Sequence, residues 1–143
     1  MAYTIPGIVK AAERFMADLE IAASRFPRAH RYTLGSDLRH QAMEVTRLAH
    51  RAWRDRTGTM APLDALSDAI DDLKLRLQLA SQVRAFVSFA QFEALARSIS
   101  ALGRQCGGWR KQRSAKGQNA RPSAAAQRPP ILSSRAASSE AIP

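Results

Sequence analysis

The sequence predicts an all-α protein: an up-down-up-down antiparallel four-helix bundle with a disordered basic C-terminal tail. Three observations carry that expectation. Apolar residues recur at three- and four-residue steps in four separate stretches, Pro or Gly punctuates the gaps between them, and the segment 114–143 loses the pattern while keeping positive charge. Short connectors make antiparallel neighbours the simplest packing for four helices. β-branched residues occur only in short scattered runs, so no sheet is expected.

The first helix is read from Ile8, Ala12, Phe15, Leu19, Ala22 and Phe26, which fall on one stripe, and Pro27 forbids its continuation. Thr33 is expected to open the second helix, which runs to about Arg56 with Leu34, Leu38, Ala42, Val45, Ala49 and Ala52 inward. Thr57-Gly58 is expected to close it. Pro62 suits the first turn of the third helix, whose stripe is Leu66, Ile70, Leu73, Leu77 and Ala80. Asp64, Asp68, Asp71 and Asp72 crowd its early turns, where the helix dipole favours anions. Ser88 and Gln91 have capping-box spacing for the fourth helix. Its stripe is Phe92, Leu95, Ile99, Leu102, Cys106 and Trp109, and Gly107-Gly108 is expected to loosen its end. The bundle is therefore placed at 1–113 and the tail at 114–143. The tail is rich in Ser, Ala, Pro and Gln and has too little to bury to offset its ordering entropy.

The global charge bears on partners. The chain of 143 residues has a formal net charge of +10. Residues 1–109 carry 15 Lys+Arg against 11 Asp+Glu, and residues 110–143 carry seven against Glu140 alone. Such a surplus predicts an anionic partner, nucleic acid first, and says nothing about fold. No apolar run approaches the roughly 20 residues of a membrane-spanning helix, so no membrane partner is expected. "MAYTIPGIVKAAERF" lacks the basic and apolar regions of a secretory signal, and the one cysteine excludes an internal disulfide. Both point to a cytoplasmic protein.

Two surfaces call for partners. On the third helix Leu75 and Leu79 project opposite the core stripe, with Phe86 roughly in line, and a helix apolar on two sides needs two partners. Self-association is one reading; a helix sunk between its neighbours, or isolated exposed leucines, is the plainer one. On the second helix His40, Arg47, Arg51 and Arg54 fall within roughly 60° of one another, widened by Arg39 and His50, and this face looks almost free of acidic residues. A nucleic-acid stripe and an ordinary solvated face both fit. In the corner "FPRAHRYTLG", Phe26-Pro27 and Tyr32-Thr33-Leu34 are expected to pack and cap, with Arg28, His30 and Arg31 outward.

Catalytic, cofactor and metal chemistry finds no foothold in the sequence. His40 and His50 share one side of the second helix but stand about 15 Å apart by helical rise, too far to ligate one metal. Cys106 sits in an apolar stripe, as a small core residue would. "CGGW" follows a helix rather than a strand, so it is no phosphate loop, and the aspartates match dipole complementarity better than an EF-hand pattern.

The stretches "FPRAHRYTLGSDLR" (26–39), "LKLRLQLASQVRAF" (73–86) and "ALGRQCGGWRK" (101–111) resemble the marker segments of the small four-helix-bundle family containing Avd. Avd is the accessory variability determinant of diversity-generating retroelements, and a related branch is encoded in intervening sequences of ribosomal RNA genes. The resemblance covers about residues 12–113. It departs at Cys106, where a larger aliphatic residue is expected, and at the added tail. The resemblance implies a non-enzymatic homopentamer, a ring of bundles with a basic exterior. The ring binds the retroelement's reverse transcriptase and template RNA in support of adenine-mutagenic cDNA synthesis. It also brings Arg110 and Lys111 into the expected RNA-contacting set. A structural or adaptor oligomer, or an rRNA-associated bundle, is the alternative.

Overall fold

A computed structural model describes the backbone of residues 6–120 and the side chains of residues 6–116. The described residues form four long helices and no strand: α1 (Gly7–Ser24), α2 (Ser36–Arg54), α3 (Ala61–Gln82) and α4 (Phe89–Ala120). Cross-helix contacts set the directions. Glu13 meets His50 and Glu20 meets Arg39 between α1 and α2, Gln41 donates to the Ala69 carbonyl between α2 and α3, and Asp64 meets Arg110 between α3 and α4. With Asp37 meeting Arg76 between α2 and α3 and Lys74 lying beside Gly103 between α3 and α4, the residue number rises on one helix as it falls on the next in each pair, so neighbours are antiparallel. α4 returns to close against α1, along a seam that keeps two surface hollows of about 220 and 500 Å³.

The interior is the sum of the four stripes. Phe15, Leu19, Phe26, Leu38, Val45, Leu66, Ile70, Leu73, Leu77, Leu95, Ile99, Leu102 and Cys106 are all buried. Leu34, Phe92 and Trp109 pack against that core while remaining partly exposed. The core also takes in Val9, Leu48 and Leu63, and no described residue with a polar or charged side chain is buried.

The first corner differs from expectation. The chain resumes helical geometry directly after Pro27, whose carbonyl accepts from the amides of His30 and Arg31 at 2.8 and 3.0 Å. Proline is well suited there because a helix start needs no amide from it. One turn at Arg28–His30 and a π-helical turn at Arg31–Gly35 then lead into α2. Thr33 therefore does not cap; its hydroxyl points back toward the carbonyls of Ala29 and His30 at 3.5 and 3.4 Å. Tyr32 does not pack the corner either, being 71% exposed, while Phe26 is fully buried.

Two helix ends, those of α2 and α4, also depart from the sequence reading. α2 stops at Arg54, before Thr57-Gly58, because Asp55 turns extended; Gly58 adopts the left-handed φ of 74° in the loop beyond. α3 ends with Arg84 left-handed at φ 60° and the amide of Ala85 reaching back to the Ala80 carbonyl at 3.0 Å. That is a glycine position filled by arginine, at a cost of about 1 kcal/mol. α4 starts with half of the expected capping box: the Ser88 hydroxyl accepts from the Gln91 amide at 3.1 Å, but Gln91 Oε1 is buried without a hydrogen-bond partner among the described residues. It then runs through Gly107-Gly108 to Ala120, so residues 114–120 of the expected tail are helix. The segment 121–143, including "PPIL" at 129–132, lies outside the described residues.

Candidate nucleic-acid interface

The outer face of α2 is less purely basic than its helical wheel suggests. Glu44 lies within it, and Arg47 donates two hydrogen bonds to the Glu44 carboxylate, at 3.0 and 2.8 Å. Those bonds hold the Glu44 carboxyl below its ordinary range and push the Arg47 guanidinium further up. Two more of the expected cations are engaged across the α1–α2 seam. Arg39 Nε sits 3.2 Å from Glu20, and His50 Nε2 lies 2.8 Å from Glu13, its ring edge toward Trp53. The expectation of a face nearly free of acid is thus corrected. One carboxylate sits three residues before Arg47, and two arrive from the neighbouring helix, which periodicity along α2 cannot report.

The remaining candidates divide between the two ends of the bundle. At the corner end, Arg28 is exposed, His30 and Arg31 are half-buried, and Arg31 reaches back to the Phe26 carbonyl at 3.4 Å with its guanidinium 6.0 Å from the Tyr32 ring. His40 is exposed on the first half of α2. At the opposite end Arg51 and Arg54 are exposed, with no ion pair among the described residues. Arg110 is committed to Asp64 at 2.8 Å, and Lys111 beside it is exposed, with no ion pair among the described residues. α2 is about 29 Å long at 1.5 Å per residue, so no single patch unites the eleven residues.

The sequence reading passed over Arg56, Arg113 and Lys116, which bring the α2–α3 loop and the last turns of α4 together. Arg113 donates to the Thr59 carbonyl at 2.8 Å, stands 3.6 Å from Asp55, and places its guanidinium 5.8 Å from the Trp109 ring centroid. The i, i+4 spacing of Trp109 and Arg113 is visible in "WRKQRSAK", but ending the helix near Gly108 hides it. Arg56 and Lys116 are exposed and form no ion pair among the described residues.

The predicted association surface is partly redrawn. Leu75 and Leu79 are 55% and 46% exposed, and Val83, another four residues on, extends their line at 49%. Phe86 leaves it. Once Arg84 reverses the chain, Phe86 turns inward and packs edge-on against Phe26, with ring centroids 5.0 Å apart, and near Phe92 at 5.6 Å.

Cys106 is buried, its thiol directed at the Leu63 carbonyl 3.8 Å away, and burial pushes its pKa up. Among the described residues, no group of three His, Cys, Asp or Glu side chains stands at metal-binding range, and no helix is long and apolar enough to cross a membrane. No protein-family model, curated protein or solved structure matches the chain.

Proposed function

We propose that this protein is a non-enzymatic accessory factor of a diversity-generating retroelement, an Avd-like bundle. In this role it binds the element's reverse transcriptase and template RNA and supports mutagenic cDNA synthesis. The carrying observation is the set of uncompensated cations at the α2–α3 end, Arg51, Arg54, Arg56, Lys111 and Lys116, left over after most of the carboxylates have been taken up in ion pairs. Arginine forks and flexible lysines over one end of a rigid bundle suit a phosphate backbone and need no base sequence. The marker stretches at 26–39, 73–86 and 101–111 direct this electrostatic reading to the retroelement family. The exposed line Leu75–Leu79–Val83 supports self-association; the homopentameric ring, which would repeat the basic end on every subunit and add weak contacts through multivalency, is what the family resemblance implies.

RNA binding by the full chain across a salt series tests the proposal. The change Arg51→Ala, Arg54→Ala, Arg56→Ala is expected to weaken binding to unrelated RNA sequences alike and to flatten the log–log salt slope by roughly 0.7–0.9 for each phosphate no longer neutralised. Unchanged affinity and slope, with folding intact, would remove RNA from this end. A reverse transcriptase gene and a near-repeat of a variable coding region beside this gene separate the retroelement role from an adaptor oligomer or an rRNA-associated bundle. Adenine-directed misincorporation by that reverse transcriptase, dependent on added protein, is the corresponding biochemical readout.

A further inference from the structure

The hollow between the α2–α3 loop and the end of α4 has a composition that a general phosphate surface does not need. It is open to solvent, encloses about 370 Å³, and is lined by Asp55, Arg56, Gly58, Trp109, Gln112, Arg113 and Lys116. We infer that it seats one unpaired nucleotide of an RNA strand, the base against the Trp109 indole and the flanking phosphates on Arg56 and Lys116. This rests on the RNA-binding reading and adds to it a site for a single-stranded base.

Two of the lining residues, Trp109 and Arg113, are held by the bundle itself. Arg113 is only 14% exposed and is held by the Thr59 carbonyl, Asp55 and the indole. Its charge is thus answered within the protein, and its role is to brace the ring. Trp109 is half-buried, packed on the core below, and borders both this hollow and the 500 Å³ one beside Pro6 and Ile8. Arg56 and Lys116 lie on the two chain segments that flank the hollow and form no ion pair among the described residues, which leaves them to meet phosphate. Gln112 offers one amide that can both donate to and accept from a base edge.

Each alternative ligand leaves some of this unused. An acidic peptide would use the cations but not the indole. A metal ion would meet one carboxylate already paired with Arg113. Duplex RNA presents phosphates but keeps its bases stacked inside, whereas an unpaired base can be splayed onto an aromatic platform.

The test uses the full-length chain with Trp53→Phe, which leaves Trp109 as the one indole of the two in the sequence. A decameric oligouridylate is expected to quench Trp109 emission on binding, and a blunt RNA duplex of the same length is not. Trp109→Leu in the natural chain should weaken oligouridylate binding about tenfold, Trp109→Phe by less, and duplex binding by under about twofold. Should the Trp53 change disturb folding, Arg56→Ala with Lys116→Ala in the natural chain gives an independent measure. It should lower the single-strand salt slope by about 1.4. Oligouridylate that binds without quenching, equal quenching by the duplex, or Trp109→Leu without effect would each overturn the nucleotide seat while leaving RNA binding in place. Failure of both RNAs to bind the natural chain would instead bring down the RNA-binding reading itself.

Discussion

The two ends of the bundle are made by the same four helices, and both expose arginines, but only one adds a group of exposed large apolar side chains. At the α2–α3 end the exposed side chains include Arg51, Arg54, Arg56, Lys111 and Lys116, near the Trp109–Arg113 pair. At the other end, where α1 turns into α2 and α3 into α4, Tyr32, Val83, Val87 and Phe89 are exposed beside Arg25, Arg28 and Arg84, with Ile21 below them on α1. The means of closure differ as well. The apolar end is held by aromatic packing, Phe26 on Phe86 and both Phe86 and Phe89 near Phe92. The basic end is held by ionic and hydrogen-bonded pins, Arg110 to Asp64 and Arg113 to Asp55 and the Thr59 carbonyl. Under the proposed function, RNA contact at the α2–α3 end is expected to be salt-sensitive, and association through the apolar side chains is expected to be salt-tolerant.

The strongest attempt to break the comparison targets the apolar side. Leu75, Leu79 and Val83 run along α3 toward that end, and if they bury against a second copy, two acidic replacements should be prohibitive. Leu75→Glu with Leu79→Glu is expected to give particles several-fold smaller by light scattering, with circular dichroism retaining the helical content. Salt should barely shift the wild-type assembly. A wild type that already scatters as a monomer would show that the exposed leucines are isolated surface residues.

Closure of the two ends predicts unequal stability costs. Phe26 is fully buried, so Phe26→Ala should cost about 3–5 kcal/mol in urea unfolding. Arg113→Ala removes a partly shielded pin and a cation–π interaction, for which about 1–2 kcal/mol is expected. Equal losses would mean that α4 is pinned at its far end more firmly than these bonds allow.

The buried stripes were legible because each is a property of one helix: Phe15 and Leu19, or Leu66 through Leu77, announce their burial at 3.6-residue spacing. What escaped was made by residues far apart in sequence or by geometry that breaks the period. The π turn at Arg31–Gly35 gives Tyr32 and Thr33 directions that a regular helix would not, so both corner assignments failed. Phe86 falls along the line of Leu79 on a helical wheel, but Arg84 in the left-handed region redirects the chain toward Phe26, sixty positions away. Composition marks 114 onward as tail, yet the Thr59 carbonyl, 54 positions upstream, holds Arg113 and carries the helix past its two glycines. The candidate site suffered most from this blindness. Single-helix reasoning found Arg51 and Arg54, but the partners of Arg39 and His50 and the hollow beside Trp109 exist only after folding.

The smallest expected effect asks where along α2 the basic end stops. Arg47 sits midway between the exposed Arg51–Arg54 pair and the half-buried Arg39, and its forked hydrogen bonding to Glu44 withdraws it from phosphate. Glu44→Gln should release it, steepening the salt slope of RNA binding by at most one phosphate, roughly 0.7–0.9. Acid should do the same to the natural chain, but late. The Arg47 hydrogen bonds hold the Glu44 carboxyl below the ordinary value of 4.5, so the pair is intact above that value and gives way only as pH falls through the lowered one. The difference between natural and Glu44→Gln proteins should therefore persist at about pH 5 and close only below 4.5. If Glu44→Gln leaves the slope unchanged while Arg51→Ala, Arg54→Ala and Arg56→Ala flatten it, RNA is confined to the α2–α3 end. If Glu44→Gln steepens it, the strand climbs α2 toward His40, and the boundary between the two chemistries lies nearer the apolar end.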